Sequence, residues 1–290
     1  SDGGQNWRSI NSSMEQRLLF GMPGAIGVSP DYANDHTIFV AGISPWGLAR
    51  SRNGGAWWER ANTGLPVYDI VSLALSPAYP SDGTLFGASA SRGVFRSTNQ
   101  GGLWQAANTG LPTLNLTLVA VSPAFASART VVAISNGGGV FKSTDGGDSW
   151  QTINSGLTTL NVRDLVISPN YSSDETLFAG TNAGVFRSVN GGATWTLSRT
   201  GYGYKAVAIS PRFAADGTLY VAGSSGILRS TDRGATWTDI SAGMGHTSVV
   251  DISVGEEASG HTVFAATMGG GVWQYTVGGA PPVATSTATP

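Results

Sequence analysis

Three sets of side chains in this sequence have types and spacings that could do chemistry. In Ser143-Thr-Asp145-Gly-Gly147-Asp-Ser-Trp150 a carboxylate stands beside two glycines, which suits a calcium loop, a phosphate cradle or a plain hairpin. Asp69, Asp164, Asp239 and Asp251 are candidates for the two carboxylates that a glycosidase holds roughly 5–10 Å apart, although spacing alone does not pair them. Trp46, Tyr68, Tyr202 and Tyr204 are aromatic candidates for binding; Tyr202 and Tyr204 flank Gly203 and fit either a cover over the end of the core or an exposed loop pair that grips sugar rings or peptides.

The first set recurs. "SRNGGAWW" ends at Trp58, "STNQGGLW" at Trp104, "STDGGDSW" at Trp150, "SVNGGATW" at Trp195 and "STDRGATW" at Trp237, and a truncated "SDGGQNW" ends at Trp7. Successive tryptophans are 51, 46, 46, 45 and 42 residues apart, the period of a four-stranded propeller blade. Each unit also has an alternating strand ending in Ser-Pro, an aromatic two residues later (Tyr32, Tyr79, Phe125, Tyr171, Phe213), a strand opening at Thr, and a strand like "GVFRS". These read as strands A, B and C, with the motif as the C to D turn and strand D starting at the tryptophan.

The expected fold is therefore all-β, a six-bladed β-propeller of four-stranded antiparallel blades. The last blade is expected to close with three C-terminal strands ("VVDISVG", "TVFAATM", "GVWQYT") and one N-terminal strand after "DGGQNW", which removes an open edge. Residues 1–277 form the propeller on this reading, and 278–290, "GGAPPVATSTATP" after Val277, form a Gly/Pro/Thr-rich linker or tail.

The SxDxGxxW pattern of Ser143, Asp145, Gly147 and Trp150 resembles the Asp-box (BNR) repeat of sialidases, sortilin-type receptors, xyloglucanases and photosystem II assembly factors. The resemblance covers nearly the whole chain and implies the fold; because one architecture serves enzymes, receptors and assembly proteins, it does not choose an activity. The box residues Asp2, Trp7, Asn53, Trp58, Asn99, Trp104, Asp145, Trp150, Asn190, Trp195, Asp232 and Trp237 are expected to be structural. The acid or amide accepts turn N–H groups and the indole fills the space between blades. Asn at three boxes lacks the charge that calcium requires, so no metal and no cofactor is expected.

Function should lie in what the repeat does not explain. D to A and B to C connections share the blade end opposite the boxes, and the resemblance implies that binding or catalysis occurs there. That end is expected to gather Glu15, Arg17, Trp46, Tyr68, Asp69, Arg92, Arg163, Asp164, Tyr202, Tyr204, Lys205, His246 and Asp251, with Glu59 nearby. Trp46, Tyr68, Arg92, Arg163, Tyr202, Tyr204, Lys205, His246 and Asp251 are the binding candidates. Arg163 with Asp164, and Lys205 with Asp251, also fit ordinary rim ion pairs. His246 stands apart from His36 and His261, which are expected in A to B loops, so the histidines assemble no three-ligand metal site.

The resemblance to sialidases implies an arginine trio, a Tyr with a neighbouring Glu, and an acid Asp. Arg17, Arg92 and Arg163 with Glu15, Tyr68 and Asp69 would take those roles, but the family's arginine motif near the start of the domain is missing. As a hydrolase the chain would draw on Tyr68, Asp69, Arg163 and Asp164. The expected function is instead a non-catalytic extracellular or cell-surface module binding a glycan or protein; a glycoside hydrolase and a photosystem-assembly-type propeller are the alternatives.

Bulk properties fit that expectation. Only 12% of the 290 residues are charged, net charge is −2 and no Lys/Arg cluster appears, which disfavours nucleic acid, an anionic membrane surface and the basic patch of the photosystem-assembly family. No cysteine excludes disulfides and thiolate chemistry, and no apolar run nears the ~20 residues of a membrane helix. The chain starts inside a motif without Met or leader, as a mature form or excised piece would. The Thr/Pro-rich tail suggests a secreted or surface protein, with attachment or self-assembly through that tail.

Overall fold

The computed structural model describes residues 23–42, 47–66, 69–201, 203–257, 260–277 and 283–286. These residues form six four-stranded antiparallel sheets, each in the order A-B-C-D, and the fold is a six-bladed β-propeller. Described residues up to Ile153 make one compact unit of three blades, and those from Asn154 a second unit of three.

Within each unit aromatic residues join neighbouring blades. The strand B phenylalanine of one blade meets the post-Pro aromatic of the next edge to face: Phe39 with Tyr79, Phe86 with Phe125, and Phe178 with Phe213, at centroid separations of 6.0, 5.7 and 5.8 Å. All six rings are buried. Such pairs add about 0.5–1.5 kcal/mol beyond burial.

One end of blades 1, 2, 4 and 5 is laced by a constellation that the Ser-Pro motif only half announces. The buried Ser after strand A donates to an Asp six residues on (Ser29 to Asp35, Ser76 to Asp82, Ser168 to Asp174, Ser210 to Asp216, 2.5–2.7 Å). The same carboxylate accepts the N–H of the Thr that opens strand B, at 2.7–2.9 Å. Between them runs a single helical turn, Tyr79–Asp82 in blade 2. Blade 3 has Ala128 in place of the acid and keeps the turn.

Two expectations change here. The outer strand of blade 6 is Val283–Ser286, which pairs with strand C, Gly271–Thr276, in the register Trp273 to Ala284 and Gln274 to Val283. It comes from the segment expected to be a linker, so the fourth strand is C-terminal, while Asp2, Trp7 and the rest of 1–22 lie outside the described residues. The reason is local: an unpaired strand C edge recruits the nearest β-capable chain, and Val-Ala-Thr-Ser has no Pro or Gly to stop it. His261 lies in strand B of blade 6, Gly260–Thr267, not in a loop, and Tyr220 Oη is 2.6 Å from its Nε2. Burial lowers its pKa, so the buried ring is held neutral.

Candidate functional site

The box turns use their polar atoms internally. In blades 1 to 5 the Ser hydroxyl donates to the Asp or Asn side chain at 2.7–2.9 Å, and accepts the N–H of the box glycine at 2.7–3.0 Å. Oδ1 of the acid or amide accepts the N–H of the residue before the tryptophan, at 2.8–2.9 Å in all five. Asn53, Asn99 and Asn190 thus do the same work as Asp145 and Asp232. The box glycine has no substitute: Gly147 has φ 92°, and a Cβ on it would lie 3.0 Å from the Phe86 ring.

Burial works to raise the Asp145 carboxyl, but the hydroxyls of Ser143 and Ser149 and the Ser149 N–H outweigh it and bring it down to about 2. The Thr236 hydroxyl and N–H, then the Ser230 hydroxyl, bring Asp232 down to about 2 as well. Trp104 and Trp150 are buried wedges whose indole N–H groups donate to Ala61 and Ala107 carbonyls of the preceding blade, at 2.7 and 2.8 Å. Trp58 and Trp195 are also buried. Trp237 departs: it is half-buried and its indole N–H turns to Gly234 O of its own turn, at 3.2 Å. The Thr/Ser-Gly-Leu segment that receives the tryptophan N–H elsewhere (Thr63, Thr109, Ser155) is replaced by Thr-Gly-Tyr, and a groove of about 490 Å³ opens along Leu197–Thr200 beside Trp237.

At the opposite end, strand A carries a β-bulge near its start in blades 1, 2, 4, 5 and 6. The extra residue leaves the ladder, which re-aims it. In blade 4 (Val162–Ile167) that residue is Arg163 and in blade 5 (Tyr204–Ile209) it is Lys205. Both side chains are exposed on adjacent inner strands, and Arg163 Nε donates to Asn182 Oδ1 at 3.1 Å. Arg92 is exposed in the B to C turn of blade 2, and His246 is exposed against Gly270 in blade 6.

The carboxylates at this end are mostly committed. Asp69 accepts hydroxyls from Ser89 and Ser91, at 2.7 and 2.5 Å, tying its loop to the B to C turn. Asp164 accepts the N–H of Leu165 at 2.8 Å and, through the other oxygen, that of Val207 on the next inner strand at 2.7 Å. Burial pushes its carboxyl up to about 7; the two N–H donors oppose this and the Asp251 carboxylate adds to it. Asp251 follows the bulged Val250 in blade 6 as Asp164 follows Arg163 in blade 4, and is itself raised by desolvation. Arg163 and Asp164 form no ion pair: Arg163 Nε is given to Asn182, and both Asp164 oxygens are taken by backbone N–H groups. Lys205 and Asp251 form none among the described residues.

Tyr204 is the first residue of an inner strand, half-buried with its hydroxyl 3.4 Å from Arg199 Nε, which fits a cover over the end of the core. Another expectation needs correction: Glu59 follows the box tryptophan at the other end of blade 1 and pairs with Arg50 and Arg52, at 2.5 and 3.6 Å. Trp46, Tyr68, Tyr202, Glu15 and Arg17 lie outside the described residues. Among the described residues no group of three His, Asp or Glu side chains could hold a metal ion, and no helix is long and apolar enough to cross a membrane. Sequence reading missed the bulges because register is not written in a single strand.

No protein-family model matches the sequence, and no curated protein matches it. Solved structures do. The chain is similar to an ancestral GH74 enzyme (TM-score 0.72, 21% identity, 88% of this chain and 36% of that one). It is similar to the extracellular domain of a hybrid two-component system from B. thetaiotaomicron (0.63, 14%, 85% and 32%). It is also similar to YCF48 bound to D1 peptide (0.63, 16%, 86% and 77%). The chain thus spans about a third of the length of the first two. At these identities the likeness is one of fold, and it puts the chain among the β-propellers; the three structures are an enzyme, an extracellular domain and a protein bound to a peptide.

Proposed function

We propose that this chain is an Asp-box propeller acting as a non-catalytic binding module, secreted or at the cell surface, which takes a glycan or protein ligand at the end of the blades opposite the boxes. The observation that carries this reading is the pair of bulges that extrude Arg163 and Lys205 on adjacent inner strands while the neighbouring Asp164 is spent on backbone N–H groups. Exposed cations beside committed acids suit recognition of carboxylates, sulfates or dense hydroxyls. They do not suit hydrolysis, which needs one carboxylate free to give a proton and another free to attack or to activate water. In the same unit Tyr202, Tyr204, His246 and Asp251 complete the candidate set; in the other three-blade unit Trp46, Tyr68 and Arg92 are binding candidates of their own. Attachment or self-assembly through the tail belongs to the same reading.

The test is glycan-array binding and pull-down with the chain and with an Arg163→Ala/Lys205→Ala variant. The expected result is loss of the captured ligand by about tenfold or more, with no turnover of xyloglucan or a fluorogenic sialoside by either protein. Turnover abolished by Asp69→Asn would replace this reading with the hydrolase.

A further inference from the structure

The box turns offer an internal control, since five copies show what the turn needs. The residue between Ser and Asp/Asn is Arg52, Thr98, Thr144, Val189 or Thr231. The residue before the tryptophan is Trp57, Leu103, Ser149, Thr194 or Thr236, and the one after it is Glu59, Gln105, Gln151, Thr196 or Thr238. Blade 1 alone among these has a cation, an indole and a carboxylate at the three places. The turn itself asks only for the N–H of residue 57, which bonds Asn53 Oδ1 at 2.8 Å as its counterparts do. The Trp57 indole is 57% exposed, whereas the box Trp58 beside it is 7% exposed. It borders a depression of about 380 Å³ lined by Arg50, Arg52, Asn53, Trp57 and Glu59.

The charges there are not equivalent. Arg50 is spent: Nε and Nη2 donate to Glu59 Oε1, at 2.8 and 2.5 Å, and Nη1 donates to Gln100 O. Arg52 is exposed, and its contact with Glu59 is a loose 3.6 Å from Nε. Both ion pairs use Oε1 of Glu59. One exposed guanidinium in loose contact with Glu59, one carboxylate oxygen fixed by Arg50 and one flat indole therefore border the same depression.

We infer that this depression is a second ligand site, at the box end of blade 1, for a carbohydrate with carboxylated pyranose rings. The apolar face of a pyranose stacks on Trp57, its carboxylate meets the terminal nitrogens of Arg52, and a ring hydroxyl donates to Glu59. An acidic peptide fits less well, because it brings few hydroxyl donors to Glu59 and no pyranose face to Trp57. The site is independent of the binding reading for the other end.

The experiment is calorimetric titration of the chain with tetragalacturonate, alongside a neutral xyloglucan oligosaccharide and a poly-Glu peptide. The variants Trp57→Leu and Arg52→Thr each install the residue that blade 2 carries at the same place, so the turn should fold. Tetragalacturonate binding weakened at least about tenfold in both, with unchanged melting temperatures and no effect of Arg163→Ala/Lys205→Ala, is the expected result. The inference is overturned by no binding of tetragalacturonate, by wild-type affinity in either Trp57→Leu or Arg52→Thr, by equal affinity for poly-Glu or for the neutral sugar, or by binding lost only in the Arg163/Lys205 variant.

Discussion

The two ends of a blade treat polar residues in opposite ways. At the box end, Ser, Asp or Asn, Gly and Trp lock a turn to itself and to the next blade, and the pattern recurs five times with bond lengths alike to within a few tenths of an ångström. At the other end, the five bulged inner strands extrude Gly24, Val71, Arg163, Lys205 and Val250, residues with no shared chemistry. Repetition marks what the fold needs, and divergence marks what the fold leaves free. Blade 1 shows that this divides positions and not only faces, since its box turn keeps the shared atoms yet carries Arg52, Trp57 and Glu59 on top of them.

The largest effect should come from the wedge. Trp104→Ala removes a buried indole and leaves Ala61 O without its donor, and is expected to cost about 3–5 kcal/mol in chemical denaturation. Trp237→Ala should cost clearly less, because that ring is half-buried beside an open groove. Equal losses would mean that the wedge is not what the box tryptophan contributes.

An intermediate effect is expected at the other end. The Asp164 carboxyl, raised to about 7, binds more protons in the folded than in the unfolded state between about pH 4 and 7. Its contribution is full below the unfolded pKa and is lost as pH rises through that window. Relative to wild type, Asp164→Asn should therefore gain stability from pH 4 to 7, by at most about 1.4 kcal/mol per pH unit. A pH-independent difference would mean that Asp164 is ionised throughout.

The smallest effect is expected at Asp145→Asn. At pH 7 the variant should lie within about 0.5 kcal/mol of wild type, because Asn53, Asn99 and Asn190 already make the same turn. The difference should appear in acid. Asp145, lowered to about 2, contributes stability above the usual carboxylate range that is lost as pH falls toward 2, and the amide removes that loss. A large penalty at neutral pH would revive a metal role for the box.

The residues that sequence reading placed well are those whose role repeats. Trp104 and Trp150 as wedges and Asn99 as a stand-in for Asp145 follow from periodicity, whereas Tyr79 and Phe125 show in sequence only as a recurring aromatic and owe their inter-blade role to the structure. Asp82 and its counterparts were equally periodic, but their signal depends on Ser76, six residues earlier, and on Thr84, so the Asp is overlooked when each strand is read alone. Arg163 and Asp164 look like one rim pair in sequence, yet a bulge sends one outward and the other onto the Val207 N–H.

The sequence by itself determined the blade count, the strand order and the turn chemistry, because a period of about 46 residues repeats the same local demands on backbone and packing. Only the tertiary structure decided which chain closes blade 6, where the inner strands bulge, and which cations and aromatics stay exposed. The physical reason is that pairing, register and exposure depend on the neighbour across the ladder or in the next blade, and that neighbour is distant in sequence.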